Sequence, residues 1–350
     1  MTAPHPVVIH GRYQVLAVLG QGAQGQVLHV RDLNQDEEVA LKLLDRASGV
    51  WNEAQILTAL RDDHVQTVRN AAVEDTGQPY LVTELARHGT LQGRIDAPPA
   101  PGVDSELAVR WTRQLCQGAA RGHDAGLVHA DIKPENAFLT SDGVAQLGDW
   151  GLASLLVGGR GEPGGTPATM APEVAAGLAG VTRRTTSVAS DVYSLGATLY
   201  WLLAGEAPLA VPPGLTRDQI LRLVTSSRPP PLRDLAPHVG RALADRVDKA
   251  MAHDPDGRYD DAGQFAADLG RLPVPARRWV RTDEDPVHQG CWRGTPTGGG
   301  AVVLVCAVPD GKRYRIEAVK LPARRRVRRA ERTATPAGLA QALRAAFRTC

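Results

Sequence analysis

The sequence predicts an α+β protein in which a strand-rich first part, a helical middle and a small mixed appendage follow one another along 350 residues. Three observations predict this. Short β-branched and apolar runs separated by Gly and Asn turns fill the first quarter of the chain, and from Leu107 onward the apolar period lengthens to that of a helix. The charge then reverses: residues 1–271 carry 24 Lys and Arg against 32 Asp and Glu, a net −8, whereas residues 272–350 carry 16 against 6, a net +10. Strands first and helices afterwards segregate into two lobes with a cleft between them, and the length exceeds what one typical core serves.

In chain order, strands are expected at 13–19, 26–32 and 38–44, with turn chemistry at Gly20-Gln21-Gly22 and Asn34-Gln35-Asp36. A helix fits 51–60, where Glu53, Ile56, Leu57 and Leu60 share one face, so a carboxylate lies among apolar residues. Strand character returns at 71–74 and 79–85. Beyond the Pro-rich stretch 97–103, Leu107, Trp111 and Leu115 recur every four residues and predict an amphipathic helix leading into His129. The stretch 192–204 is apolar nearly all round, the mark of a buried helix, and further helices fit 216–225, 241–251 and 261–269. Pro273, Pro275 and the 282–286 segment suit a linker; after it, 302–308 and 312–319 flank Pro309-Asp310-Gly311 as a hairpin, and Thr335-Pro336 caps a closing helix to Phe347. The expected division is a main domain at 10–271 (lobes at about 10–84 and 87–271), a linker at 272–286 and an appendage at 287–350.

Four scattered cysteines, Cys116, Cys291, Cys306 and Cys350, show no pair at metal-ligand or redox-motif spacing and read as reduced thiols. The first residues lack a basic start followed by an apolar stretch, and the longest apolar runs fall well short of the ~20 residues a membrane-spanning helix needs. A cytoplasmic protein without a membrane segment is expected.

Chemistry concentrates in four places. Gly20-Gln21-Gly22-Ala23-Gln24-Gly25-Gln26-Val27 is a glycine-rich hairpin whose backbone amides can approach phosphate oxygens, and it precedes a strand, not a helix, which disfavours a dinucleotide fold. Val39-Ala40-Leu41-Lys42 puts a lysine in an apolar strand, a costly placement unless it is paired, and Glu53 is the partner at hand. His129-Ala130-Asp131-Ile132-Lys133-Pro134-Glu135-Asn136 sets a carboxylate, an ammonium and an amide in one loop, and Asp149-Trp150-Gly151 adds a second carboxylate.

These motifs, in this order, resemble the eukaryotic-type (Hanks-type) serine/threonine protein kinase family over residues 13 to about 271. The resemblance implies a bilobal protein-kinase-like fold, with a β-rich N-lobe and a helical C-lobe, that uses ATP and magnesium, with manganese as an alternative ion, on a protein substrate. By resemblance, Asp131 orients or accepts the proton of the substrate hydroxyl, Lys133 neutralises the transferring phosphoryl, Asn136 and Asp149 hold the metal, and Lys42 holds phosphates while braced by Glu53. Gly20, Gly22 and Gly25 cover the phosphates. The adenine is expected against Val27, Ala40 and Phe138, with hinge hydrogen bonds from the backbone of Glu84 and Ala86 beside Thr83. Lys133 and the Gly165-to-Glu173 segment match the Ser/Thr subclass; Glu173 is expected to pair with Arg258, Asp191 to tether the catalytic loop, and His129 and Trp150 to stack as structural residues.

The sequence departs from that family in ways that bear on regulation. Ala130 stands where an Arg usually receives an activation-loop phosphate, Glu162 stands where a phosphorylated Thr is usual, and the spacing from Lys42 to Glu53 is short. Activity independent of activation-loop phosphorylation is therefore expected. Thr182, Thr185, Thr186 and Ser187 read as a solvated loop or, less favoured, as autophosphorylation sites. Arg324-Arg325-Arg326-Val327-Arg328-Arg329 reads as a solvated face, as a dock for the acidic kinase domain or an acidic partner, or, least favoured, as a nucleic-acid contact. The competing reading of the whole chain is a pseudokinase, a nucleotide-binding scaffold without turnover.

Overall fold

Period-two alternation along the first strands builds a six-stranded antiparallel sheet, β1 (Val8–Ile9), β2 (Tyr13–Gly22), β3 (Gly25–Asp32), β4 (Glu37–Leu44), β5 (Val68–Val73) and β6 (Pro79–Glu84), in the order β1-β2-β3-β4-β6-β5. This computed structural model describes residues 7–22, 25–44, 56–73, 77–97, 102–182, 185–282 and 287–350. Register pairs Leu28 with Leu41 and Val30 with Val39, and these four join Tyr13, Tyr80 and Val82 in one buried cluster. The opposite face then receives Val27 paired with Lys42, next to Ala40. Arg12 seals the sheet by a bidentate pair with Asp32, at 2.9 and 2.6 Å, which holds that nearly buried carboxyl below its usual range. Residues 56–59 are helical; Glu53, with the rest of the expected helix start, lies outside the described residues.

The helical lobe begins with α1 (Leu91–Ile95), capped by Thr90, and α2 (Ser105–Asp124), whose cap Asp104 accepts from the amides of Glu106 and Leu107. Short strand pairs follow: β7 (Leu127–Val128), β8 (Ala137–Leu139), β9 (Ala145–Leu147) and β10 (Ser154–Leu155), with β8 on β9 and β10 on β7. Then come α3 (Pro172–Leu178), α4 (Val188–Ala204), α5 (Arg217–Ser226), α6 (Leu232–Leu235), α7 (Arg241–Ala250) and α8 (Ala262–Gly270). As its composition implies, α4 is buried on nearly every side; Val192, Leu195, Leu199, Leu202 and Leu203 all enter the main core, which also takes Leu44, Leu57, Leu60 and Leu81 from the first lobe. Among the described residues no helix is long and apolar enough to cross a membrane.

The appendage is a second antiparallel sheet, β11 (Arg277–Thr282), β12 (Gly290–Pro296), β13 (Val303–Asp310), β14 (Arg313–Lys320) and β15 (Arg325–Arg326), with β16 (Arg332–Ala334) also on β14 and α9 (Leu339–Thr349) against one face. The segment read from the sequence as a linker contains β11, paired with β12 from Arg277↔Pro296 to Thr282↔Cys291. Its prolines disguised it, since Trp279, which packs into the appendage core, is flanked by arginines. The reading of the cysteines as reduced thiols is corrected too: Cys291 and Cys306 are disulfide-bonded, because the β12–β13 register sets them directly opposite, while Cys116 and Cys350 are free.

Ion pairs dock the appendage on the helical lobe. Arg278 Nε lies 2.5 Å from Glu106 Oε2, and Arg344 reaches Asp234 Oδ1 at 3.0 Å and the Arg233 carbonyl at 2.7 Å. The dense run at 324–329 forms a different contact: among the described residues, Arg326 of that run is ion-paired, to Glu331. Between lobe and appendage sits His238, edge-on to Phe347, with its pKa pushed down to about 4 by burial and by the charge of Arg281. An imidazole held down from 6.5 contributes stability that is present above pH 6.5 and is lost as the pH falls toward 4. The melting temperature is thus expected to fall more between pH 7.5 and 5.5 in the native chain than in His238→Gln; equal falls in thermal melts would contradict this.

Candidate functional site

The site is organised by a buried carboxylate in the first turn of α4. Asp191 Oδ2 accepts from the His129 amide at 2.8 Å and from His123 Nε2 at 2.9 Å, and its Oδ1 accepts from the Ala130 amide at 3.0 Å. Burial pushes this carboxyl up, but the hydrogen bond and charge of His123, with His129, outweigh it and leave the group below its usual range. The tether holds Ala130 at φ +66, a left-handed conformation that costs a non-glycine residue ~1 kcal/mol or more. That turn aims the next side chain, Asp131, out of the backbone. Below it, His129 Nε2 donates to the Gly148 carbonyl at 3.0 Å and Nδ1 accepts from the Asp131 amide at 3.2 Å, while Trp150 packs edge-on to the imidazole with ring centroids 4.7 Å apart.

Four polar groups converge above this floor. Lys133 Nζ lies 2.9 Å from Asp131 Oδ2 and donates to Thr166 Oγ1 at 2.6 Å; the Thr166 hydroxyl donates in turn to Asp131 Oδ1 at 2.7 Å. Asn136 turns its amide nitrogen to Asp131, reaching the backbone carbonyl at 2.9 Å and Oδ2 at 3.1 Å, so its side-chain oxygen is the atom left to face a cation. Thr166 is brought in by Gly165, at φ +119, where a Cβ would lie 2.6 Å from the Ala130 carbonyl oxygen.

The loop joins the cleft through its backbone. The Gly148 amide donates to the Asn136 carbonyl at 3.0 Å, and the following Asp149, at φ +55, extends Oδ1 to within 2.7 Å of Lys42 Nζ. A cavity of about 450 Å³ opens there between the lobes, with Gly20, Val27, Ala40 and Phe138 on its walls, Lys42 and Asp149 at one end and the Glu84–Ala86 hinge along one side. Gly22 and Gly25 pair at the end of the β2–β3 hairpin; Gly25 takes φ +124, and any Cβ there would collide with the Leu43 carbonyl oxygen. The Ala86 carbonyl accepts the Gly89 amide at 2.9 Å, which shapes the hinge. A second cavity of about 450 Å³ behind the hinge shares Glu84, Ala86 and Phe138 with the first, is lined by charges such as Arg87 paired with Glu38, and includes none of Lys42, Asp131, Lys133, Asn136 and Asp149.

Of the residues singled out by sequence, Asp131, Lys133, Asn136, Asp149 and Lys42 are thus joined by contacts, and Val27, Ala40, Glu84, Ala86 and Phe138 line the adjoining cavity. Glu53 lies outside the described residues, and Asp149 is the partner of Lys42 that the geometry displays. Sequence reading left Thr166, His123 and Gln66 out of the site. Gln66 Nε2 donates to the Thr83 hydroxyl at 3.1 Å in the buried wall of the cavity, and only the alternation of β6, which turns Thr83 toward the cleft, could have pointed to it.

Hard oxygen donors at Asn136 and Asp149 suit magnesium or manganese, and neither is sequestered: half of Asp149's carboxylate is uncommitted to Lys42.

Residues 13–260 match the protein kinase domain family. The chain is similar to serine/threonine-protein kinase PknB of Mycolicibacterium smegmatis (31% identical, covering 78% of this chain and 44% of that protein) and to PknL of Mycobacterium tuberculosis (33% identical, 75% and 66%). Similarity to pkn2 of Myxococcus xanthus is at 31% identity over 76% of this chain and 33% of that protein. The chain spans between a third and two thirds of the length of these relatives.

The lobe that carries the site is locked by Glu173 and Arg258, a bidentate pair at 2.7 and 2.7 Å, with Arg258 also donating to the carbonyls of Ala189 and Ala252. Both side chains are almost wholly buried. Arg258→Met strands the carboxylate and is expected to cost ~3–5 kcal/mol, whereas adding Glu173→Gln to it recovers part of that loss. Urea unfolding of both variants checks this, and a double variant no more stable than Arg258→Met would contradict it.

Proposed function

The chain belongs to the protein kinase domain family, and on that premise we propose that it transfers the γ-phosphoryl group of ATP to Ser or Thr hydroxyls of a protein. The observation that carries this is the Asp131–Lys133–Thr166 triangle, an acid–base group, a cation and a bridging hydroxyl within 2.6–2.9 Å of one another. A substrate hydroxyl arriving there hands its proton to Asp131 as its oxygen attacks, and Lys133 offsets the charge that builds on the phosphoryl oxygens. Lys42 draws the remaining phosphates toward Asp149, and the adenine lies between Val27, Ala40 and Phe138 with its polar edge on the backbone of Glu84 and Ala86. Asn136 and Asp149 would hold the divalent ion, which supplies charge neutralisation at the phosphates.

The same reading includes activity without activation-loop phosphorylation. From Leu155 to Gly165 the chain contains no Ser, Thr or Tyr, so the stretch offers no acceptor hydroxyl. It is ordered by other means: the Gly161 amide donates to the Thr186 carbonyl at 2.9 Å, the Thr186 hydroxyl to the Glu162 carbonyl at 2.6 Å, and the Glu162 amide to Ser154 Oγ at 2.8 Å. Thr169 is buried, and Ser187 is spent as the cap of α4, which also weakens the case for this loop as an autophosphorylation site. The basic run at 324–329 would serve an acidic protein partner.

Labelled ATP with a generic basic protein tests both parts. The native chain is expected to incorporate phosphate at a rate that phosphatase pretreatment changes less than ~2-fold, and Asp131→Asn to lose at least ~100-fold. Equal, negligible incorporation by both proteins would favour the scaffold reading. A large loss on dephosphorylation would remove the second claim.

A further inference from the structure

The disulfide of the appendage lies beside an imidazole, and the three side chains form a metal-ligating set. We propose that His288, Cys291 and Cys306, once the disulfide is reduced, bind a zinc ion.

The register of β12 and β13 places Cys291 opposite Cys306 with Cα atoms 4.1 Å apart. Along β13 the alternation sends Val303, Val305 and Ala307 to the core under α9 and Leu304 and Cys306 to the other face, where with Cys291 they form a small buried cluster packed by Val308, Val319 and Leu321. Into this dry patch the turn before β12 delivers His288, whose Nδ1 lies 3.2 Å from Cys291 Sγ. The three ligand atoms all fall within 4.8 Å of one another. His288 and Cys291 are separated by two residues, the interval of the Cys-x2-Cys ligand pairs of zinc sites but with an imidazole in place of one thiol, so cysteine spacing alone does not reveal it.

Bond lengths decide whether the set fits. Tetrahedral zinc, at roughly 2.3 Å from sulfur and 2.0 Å from nitrogen, wants S···N near 3.5 Å and S···S near 3.8 Å. The first is met within a few tenths of an ångström; the second requires only that the sulfurs part, since their strands are already adjacent. A disulfide sulfur gains little from an imidazole, whereas a thiolate gains a charge partner or shares a metal with it. The ladder from Gly290↔Ala307 to Gly294↔Val303 already joins these strands, so the covalent bond is not what holds them together.

The chemistry balances with a dithiol reductant. That reductant gives two electrons and two protons to the Cys291–Cys306 bond and becomes a disulfide itself; zinc then displaces the two thiol protons to form two zinc–thiolate bonds, with Nδ1 of His288 as third ligand and water as fourth. Cys116 and Cys350 belong to other clusters, Cys116 in the main core and Cys350 at the end of α9. Next to Cys291, Trp292 packs on Phe347 and lines the gap against the helical lobe at Val103 and His238. The state of the site therefore bears on the face by which the appendage docks.

Cobalt(II) titration of the full chain, followed by displacement with zinc, tests this. The reduced protein is expected to show thiolate-to-cobalt charge-transfer absorption saturating at a single equivalent, and the oxidised protein none, a comparison that requires no substitution. His288→Ala is expected to weaken binding by at least ~10-fold. A reduced native chain with no absorption beyond that of the Cys291→Ser/Cys306→Ser variant, or a His288→Ala variant that binds as tightly as the native chain, would overturn the proposal.

Discussion

One buried carboxylate sets the geometry on which everything else in the cleft depends. Asp191 spends both oxygens on two consecutive amides and an imidazole, and by doing so it holds Ala130 in a backbone conformation that alanine resists. A carboxylate this buried is stable only with every lone-pair direction used and in the favourable field of a helix N-terminus, and α4 supplies that field because its capping box starts the helix just before it. The floor of the site is therefore tied to the most buried helix of the molecule. A shift of that helix would be felt at Asp131 before it was felt anywhere in the cavity.

Charge is distributed with the same economy. Lys133 bridges Asp131 and Thr166, Lys42 sits on Asp149, and Arg258 closes on Glu173, so each cation that the cleft or its support requires is already engaged. Residues 161–162 are held to Thr186 by neutral hydrogen bonds, one from the Gly161 amide to its carbonyl and one from its hydroxyl to the Glu162 carbonyl. The appendage uses two arginines outside its densest basic run, Arg278 and Arg344, to fix itself on acidic residues of the helical lobe, and leaves that run, 324–329, elsewhere.

Much of this was legible in the sequence, for identifiable reasons. The catalytic loop, Asp149, Asp191 and the Glu173–Arg258 pair are carried by spacing, and spacing survives in a one-dimensional text. The lobes were legible because period two gives way to period four at one point in the chain. What was hidden depends on register. Cys291 and Cys306 meet only because β12 and β13 align residue for residue, and β11 was masked by prolines that end before Arg277. Thr166 was read as part of a segment, yet its hydroxyl is a shared partner of Asp131 and Lys133, which only the fold of Gly165 against Ala130 reveals. Gln66 escaped notice because a polar residue after an apolar one carries no periodic signal.

Amide hydrogen exchange at His129 and Ala130 measures the central interaction most directly. Two charge-assisted bonds to a buried acceptor predict protection comparable to that of the core of α4 in the native chain, falling by ~10–100-fold in Asp191→Asn. If both amides exchange as fast in the native chain as in the variant, Asp191 does not hold the loop, and the geometry of Asp131 has another origin.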